Sequence, residues 1–276
     1  LSGGYYRFQT QYVGQLPIKQ IDFGLNPESR SVTVESYLDE NITDAASKAN
    51  RIADESEGIA HDVLVKLTEQ ATKKRQAKSE LNLNLLDYLQ QYKEGPKIQQ
   101  IGLVQPTKTN MLNMSTEEYP NLRIGSVRID FESPNTVLLN ATARYKPDDE
   151  DAHETDQWGY TETEYLPAFR ITDLTEREAD LIEHFVPVAV DEAGGFANFR
   201  ETATKTNSLI DRLKSIELPD VDDVADDLEN YLKTKERAEE LDQKIEQTDQ
   251  LIDEIVYELY GLTDEEIEIV EEAVEE

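Results

Sequence analysis

Apolar residues recur at intervals of three, four and seven along two stretches of the chain, and this spacing predicts two long helices. The first runs from Ala45 to Tyr92 and contains one glycine, Gly58, at which the helix is expected to kink or divide. The second runs from Val221 to Tyr260, where charged residues separate the apolar positions as in a coiled-coil seam. Because each helix carries an apolar stripe, we expect the two to pack antiparallel.

The segments on either side of the first helix carry turn signals. Asn26-Pro27-Glu28-Ser29 is interpreted as a turn, and the residues up to 34 as irregular structure with short strands. Glu94-Gly95-Pro96 is expected to end the helix, with glycine as its cap and proline blocking continuation.

Between the two helices the pattern changes to β-branched and aromatic residues, several of which alternate with polar ones. This predicts an antiparallel sheet of about four strands, with a turn at Ser133-Pro134-Asn135. The predicted strands are Ile101–Gln105, Arg123–Phe131, Thr136–Tyr145 and Tyr160–Ile171.

Helical patterns return after the strands. Thr175 and Glu178 form a capping box at the start of one helix, and Thr263 with Glu266 caps a short final helix. A further helix is predicted over Phe199–Ile216, and Leu218-Pro219-Asp220 should separate it from the second arm. The fold class is therefore α+β: an antiparallel coiled-coil-like pair with an inserted β-sheet and additional helices. The predicted divisions are 1–34, 35–96, 97–171, 172–218 and 219–276.

Charge is the strongest feature of the composition. The chain has 59 acidic and 27 basic residues, and its formal net charge is −32. The acids are spread along the whole length, which favours a salt-loving host over a dedicated acidic binding surface. Concentrated salt screens repulsion between acidic groups and phosphates, so the net charge does not exclude a nucleic-acid partner.

Several kinds of chemistry have no sequence support here. There are no cysteines, and the three histidines, His61, His153 and His184, lie far apart with no metal-ligand spacing. No glycine-rich phosphate loop is present, and no apolar run is long enough to span a membrane. We expect a cytoplasmic protein without a membrane partner or a bound cofactor. The start at Leu1 suggests a fragment or a processed product.

One pattern resembles the core of a metal-dependent nuclease. Asp130 lies on a predicted strand, and the next strand ends with Arg144-Tyr145-Lys146. A nuclease would need a second acid where Arg144 stands, in order to hold magnesium. The acidic loop Lys146–Asp156 also lacks the glycine and spacing of a calcium loop, so a solvated loop is favoured there.

The basic cluster Lys73-Lys74-Arg75 with Lys78 stands out in so acidic a chain. It is interpreted either as a helix face paired with acids of the other arm or as a contact for DNA phosphates. Arg128 and Arg144, on neighbouring predicted strands, could share a face and give a second hint of DNA contact.

Aromatic residues crowd the first twelve positions. They are interpreted either as packing against the arm or a preceding domain, or as reaching a nucleic acid. The candidate DNA contacts among these residues are Tyr6, Arg7, Gln11 and Tyr12.

Two short motifs carry a family resemblance. Tyr6-Arg7-Phe8 followed by Gln11-Tyr-Val-Gly-Gln-Leu-Pro-Ile18 resembles the closing segment of the DNA specificity domain in type IIG restriction–modification enzymes. Ile252-Asp-Glu-Ile-Val-Tyr-Glu-Leu-Tyr-Gly-Leu-Thr-Asp-Glu-Glu-Ile267 is similar to the common end of those enzymes and of type I specificity subunits. The motifs cover a small part of the chain, and the sheet segment resembles neither family.

The resemblance implies a haloarchaeal-type parent enzyme that methylates adenine in DNA with S-adenosylmethionine, with Mg²⁺ as a second cofactor where a nuclease is fused. This chain would be its specificity-associated spacer, next to an N-terminal methyltransferase and recognition module. The Asn/Asp-Pro-Pro-Tyr/Phe methyltransferase motif is absent, so no catalytic residue is assigned here. The alternatives are a non-enzymatic coiled-coil interaction protein and, less favoured, a metal-dependent nuclease.

Overall fold

The computed structural model describes residues 21–42, 44–107, 112–113, 118–119, 122–149, 153–200 and 208–275. These residues form eight α-helices, a five-stranded antiparallel sheet and a two-stranded sheet, which confirms the predicted α+β class. The chain divides into two compact units. The helical unit comprises the residues up to Leu81 and those from Glu236, and the sheet unit comprises Asn82–Lys235.

Helices make up the regular structure of the helical unit as far as it is described. They are α1 (Pro27–Asp39), α2 (Ala45–Glu55), α3 (Glu57–Ser79), the C-terminal part of α7 (Ala225–Tyr260) and α8 (Asp264–Glu275).

Polar caps fix where the first three helices begin. The Asn26 side chain accepts a hydrogen bond from Ser29 N at 2.9 Å, and Pro27 occupies the first helical turn, where its fixed φ suits the helix. Asn26-Pro27 therefore starts a helix, and its interpretation as a turn was wrong. Ser56 caps α3 in the same way, so the arm divides at Ser56 rather than at Gly58.

Helix α3 and the C-terminal half of α7 run antiparallel, as the apolar stripes predicted. Lys78 Nζ lies 2.7 Å from Asp242 Oδ1, and Lys74 Nζ lies 2.9 Å from Thr248 Oγ1. The partner number rises as the residue number falls, which fixes the direction. Most of the buried apolar residues of this unit form one cluster: Val34, Tyr37, Ala49, Ile52, Ile59, Ala60, Val63, Leu67, Leu251, Ile255 and Leu259.

The first arm is shorter than predicted. Helix α3 ends at Ser79, and a separate short helix, α4 (Leu85–Leu89), follows. Asn84 interrupts the helical run because its side-chain oxygen accepts a hydrogen bond from Leu86 N and starts a new helix. Leu85 and Leu89 are then buried in the core of the sheet unit.

The sheet unit contains the remaining elements. They are α4, β1 (Glu94–Lys97), β2 (Leu103–Pro106), β3 (Arg123–Ser133), β4 (Thr136–Tyr145), β5 (Thr161–Glu162), β6 (Leu166–Thr172), α5 (Glu176–Glu192), α6 (Leu209–Lys214), β7 (Glu217–Pro219) and the first turns of α7, with 3₁₀ turns at Ile98–Gln100 and Phe196–Asn198.

Gly95 has a different role from the predicted helix cap. It lies in β1, which pairs antiparallel with β7. A Cβ atom at this position would come within 2.7 Å of the Pro219 carbonyl group, so only glycine allows the two strands to approach. The predicted cap and the predicted separator at Leu218-Pro219 are thus two paired strands.

The five-stranded sheet has the order β2-β6-β4-β3, and β5 pairs with the end of β4. One face is apolar: Val137, Leu139, Ala141 and Ala143 of β4 are fully buried in the same cluster as the apolar stripe of α5. Alternation therefore places polar side chains of β4 on the opposite face. That polar face carries the candidate site.

Candidate functional site

The basic cluster on α3 is engaged within the helical unit. Arg75 Nη2 lies 2.5 Å from Asp249 Oδ2, and Lys78 pairs with Asp242. This is the arrangement that pairing with the other arm predicted. Lys73 is exposed on α3 and lies beside an apolar groove.

Lys74 belongs to the seam between the helices. Its ammonium donates to the hydroxyl of Thr248, which is 1% exposed, and the Thr248 hydroxyl donates in turn to Lys244 O at 2.6 Å. Burial lowers the pKa of Lys74, and the nearby charge of Lys244 lowers it further. A polar pair among apolar neighbours favours one register of the helices. Lys74 is therefore placed to fix helix pairing.

Arg128 and Arg144 share the polar face of the sheet, as predicted. Arg128 is directly opposite Asn140 in the β3–β4 register, and Asn140 and Arg144 are four residues apart on β4. The Arg128 guanidinium pairs with Asp130 at 3.0 Å and lies 4.8 Å from the centroid of the Tyr165 ring. An arginine stacked on an aromatic ring is a recurrent feature of this face.

The densest part of the face is a group of cations around one aromatic ring. Arg123 Cζ, Arg144 Cζ and Lys146 Nζ lie 4.8, 4.9 and 5.0 Å from the centroid of the Tyr160 ring. These three residues, Trp158 and Tyr160 line a cavity of about 390 Å³, which we call the Tyr160 pocket. Its size falls within the range of small-ligand sites, about 300–1,000 Å³.

Asp156 holds the turn that carries both aromatic residues. Its Oδ1 atom accepts hydrogen bonds from Trp158 N at 2.8 Å and Tyr160 N at 3.0 Å, and its backbone N–H donates to Tyr160 O. Gly159 closes the turn with a φ of 75°. The other carboxylate oxygen pairs with Arg144.

The pKa of Asp156 reflects these contacts. Partial burial of the carboxyl group alone would raise the pKa, but the hydrogen bonds from Tyr160 and Trp158 and the pairing with Arg144 outweigh that effect. The pKa is therefore held below its ordinary value. The carboxylate stays charged and keeps the turn in place.

Replacing Asp156 tests this anchoring. Asp156→Ala removes the acceptor of both amides, so we expect Trp158 to gain motion and its fluorescence anisotropy to fall. Asp156→Asn keeps an oxygen at the same place and should leave the anisotropy near the wild-type value. Equal anisotropy in the alanine variant and the wild type would contradict the anchoring role.

The two acids of β3 are also paired with basic or amide groups. Asp130 contacts Arg128 and accepts a hydrogen bond from Asn140 at 2.9 Å, and Glu132 pairs bidentately with Arg170. Arg144 occupies the place of the second nuclease acid. Within the described ranges, no group of three His, Asp or Glu side chains could hold a metal ion.

A second concave feature lies on α3. It is an apolar groove of about 540 Å³, larger than the Tyr160 pocket. Its lining residues follow one stripe of the helix and offer few polar groups that converge on a ligand. They are His61, Leu64, Val65, Thr68, Glu69, Thr72 and Lys73.

The C-terminal motif forms a helix end and a helix start. Helix α7 ends at Tyr260, and Gly261 follows with a φ of 61°. Thr263 and Glu266 then form the predicted capping box: Glu266 Oε2 accepts from Thr263 N at 2.9 Å. Helix α8 begins directly after this box.

Four predicted contacts, Tyr6, Arg7, Gln11 and Tyr12, lie outside the described residues. Sequence reasoning also missed four of the residues that line the pocket, Arg123, Lys146, Trp158 and Tyr160, together with Asp156, which anchors its turn. A signal for them existed, because Asp156-Gln-Trp-Gly-Tyr160 has the Asp and Gly spacing of a tight turn. The sequence analysis instead placed Asp156 at the end of an acidic loop and Tyr160 at the start of a strand.

Comparison with known proteins adds no relative: no protein-family model, curated protein or solved structure matches this chain. Among the described helices, none is both long and apolar enough to cross a lipid bilayer.

Proposed function

We propose that this chain is a DNA-contacting spacer region of a restriction–modification methyltransferase, and that it acts without a catalytic centre of its own. The observation that carries the proposal is the polar face of the sheet. Arg123, Arg128, Arg144 and Lys146 all lie against aromatic rings there, in a chain with a net charge of −32. Arginine and aromatic side chains are the groups that proteins use to bind phosphates and bases.

The long helix α7 supports the spacer role. Its 36 residues span about 54 Å at 1.5 Å per residue. The seam that it forms with α3 contains ion pairs and a buried polar contact, which favour one helix register over others. Together with the resemblance of Ile252–Ile267 to the specificity subunits, this favours a rigid element that separates other modules.

The DNA partner is assigned to the sheet face rather than to the α3 cluster. Arg75, Lys78 and Lys74 are engaged with α7, so reaching phosphate would break existing contacts. In concentrated salt, counterion release contributes little to binding, and short-range stacking and hydrogen bonds gain importance. The arginines stacked on the sheet suit those conditions.

The test is binding of the full chain to labelled duplex DNA in high potassium chloride. Arg128→Gln combined with Arg144→Gln should weaken binding about three- to tenfold, because two phosphate contacts are lost. Lys66→Gln combined with Lys73→Gln is the matched control, since it also removes two exposed cations, here from the helical unit, and should leave affinity unchanged. Equal weakening by both variants would mean that binding follows overall charge, which contradicts the assignment.

The parent enzyme is tested separately, by the sequence that precedes Leu1 in the gene. It should encode a methyltransferase domain with an Asn/Asp-Pro-Pro-Tyr/Phe motif. An upstream sequence without that motif would contradict the restriction–modification role.

A coiled-coil interaction protein is the second candidate. The apolar groove on α3 favours it, because Val65 in that groove is 42% exposed and could contact a protein partner. An absence of binding to both duplex and single-stranded DNA under the same salt conditions would favour this candidate.

A further inference from the structure

We propose that the Tyr160 pocket binds one unstacked nucleotide of single-stranded DNA, with the base on Trp158 and the phosphate near Arg123 and Lys146. The inference rests on the proposed DNA-contacting function and deepens it by naming the form of DNA that the sheet recognises.

The charges in the pocket favour an anion. Arg123, Arg144 and Lys146 all lie within 5.0 Å of one ring centroid, so positive charge is concentrated around the Tyr160 ring. The carboxylate of Asp156 pairs with Arg144. Within the described part of the chain, no carboxylate forms an ion pair with Lys146, whose contact is the Tyr160 ring. A phosphate could therefore pair with Lys146.

Trp158 supplies a surface for a base. Its side chain is 62% exposed, although tryptophan is usually well buried in proteins. The Arg144 guanidinium lies 5.7 Å from the Trp158 ring, and Asp156 fixes the Trp158 backbone. An exposed indole on an anchored turn can stack on a base at little entropic cost. Stacking of this kind tolerates any base, because every base has a π-face.

The geometry selects single strands over duplexes. In duplex DNA both faces of a base are covered by its neighbours, so an indole cannot stack on it without unstacking the helix. A single strand offers free base faces next to its phosphates. The pocket should therefore prefer single-stranded DNA, whereas the phosphate contacts of Arg128 need no unpaired base.

Trp158 is also the probe, because it is the single tryptophan of the chain. Adding a thymidine oligonucleotide in high salt should quench its fluorescence. An oligonucleotide of the same length with abasic sites throughout keeps the phosphates and lacks the bases, so it should not quench. Equal quenching by the two strands would mean that the pocket binds phosphate alone, which overturns the inference.

Variants complete the test with labelled DNA. Trp158→Ala should weaken single-strand binding about tenfold and leave duplex binding unchanged, whereas Trp158→Phe keeps a ring and should lose less. Phe131→Ala, an exposed aromatic on the same sheet, is the control and should have no effect. Duplex binding without a single-strand preference would overturn the inference and leave the proposed function intact. Failure to bind either duplex or single-stranded DNA would contradict both the inference and the proposed function.

Discussion

Truncating Phe169 to alanine should destabilise the sheet unit by about 3–5 kcal/mol, the cost typical of emptying a fully buried phenylalanine site. Phe169 lies on β6, between β2 and β4, and none of its surface is exposed. It is opposite Leu139 on one side and Pro106 on the other. Because three strands meet at this ring, its neighbours cannot close the cavity without disturbing the sheet.

Urea unfolding at constant high salt measures this effect, with Phe131→Ala as the matched control. Phe131 lies on the same sheet but is 43% exposed. Truncating it should therefore lower the free energy of unfolding much less than truncating Phe169 does. Equal losses for the two variants would contradict the assigned core. The Phe169 variant should also lose the single-strand binding of the Tyr160 pocket as the sheet unfolds, in proportion to the unfolded fraction.

Lowering the pH from 7 to 4 should destabilise the sheet unit through His184. The side chain is 8% exposed, and burial, followed by the charge of Lys235, lowers its pKa to about 4. The unfolded chain protonates this histidine near pH 6.5, so between about pH 6.5 and 4 the unfolded state binds more protons. The free energy of unfolding therefore falls with pH in this window, by up to about 3 kcal/mol in total.

The measurement is the unfolding free energy of wild type and His184→Phe across this range. The wild type should lose stability relative to the variant as the pH falls. Asp180, whose pKa is raised by burial and then by Glu176, acts in the opposite direction, because it binds a proton more readily in the folded state. A constant difference between the two proteins at every pH would contradict the role of His184.

Local signals in the sequence predicted several elements of this fold. The hairpin of β3 and β4, the capping box at Thr175 and the helix start at Thr263 follow from residues that are neighbours in the chain. The apolar stripes also predicted the antiparallel helix pair, because the apolar face of one helix has to be buried against another element.

Pairing between segments that are far apart in the chain could not be predicted from local signals. Gly95 looked like a helix cap because its strand partner lies more than a hundred residues further along the chain. Leu85 and Leu89 continue the helical spacing of the first arm, but the Asn84 side chain caps a new helix before them. Both residues are buried in the core of the sheet unit instead. The Tyr160 pocket was missed because strand register, rather than spacing, brings Arg123 opposite Arg144.

The two units have separate apolar interiors. The cluster of the sheet unit draws on residues between Leu85 and Leu228, and that of the helical unit draws on Val34–Leu67 and Leu251–Leu259. Among the residues that the structure describes, none belongs to both clusters, although α7 contributes Leu228 to one and Ile255 to the other. Residues that share an apolar cluster unfold cooperatively with one another, so the chain can unfold in two steps. A single melting temperature would then describe neither step, and the free energies argued for Phe169 and His184 refer to the sheet transition.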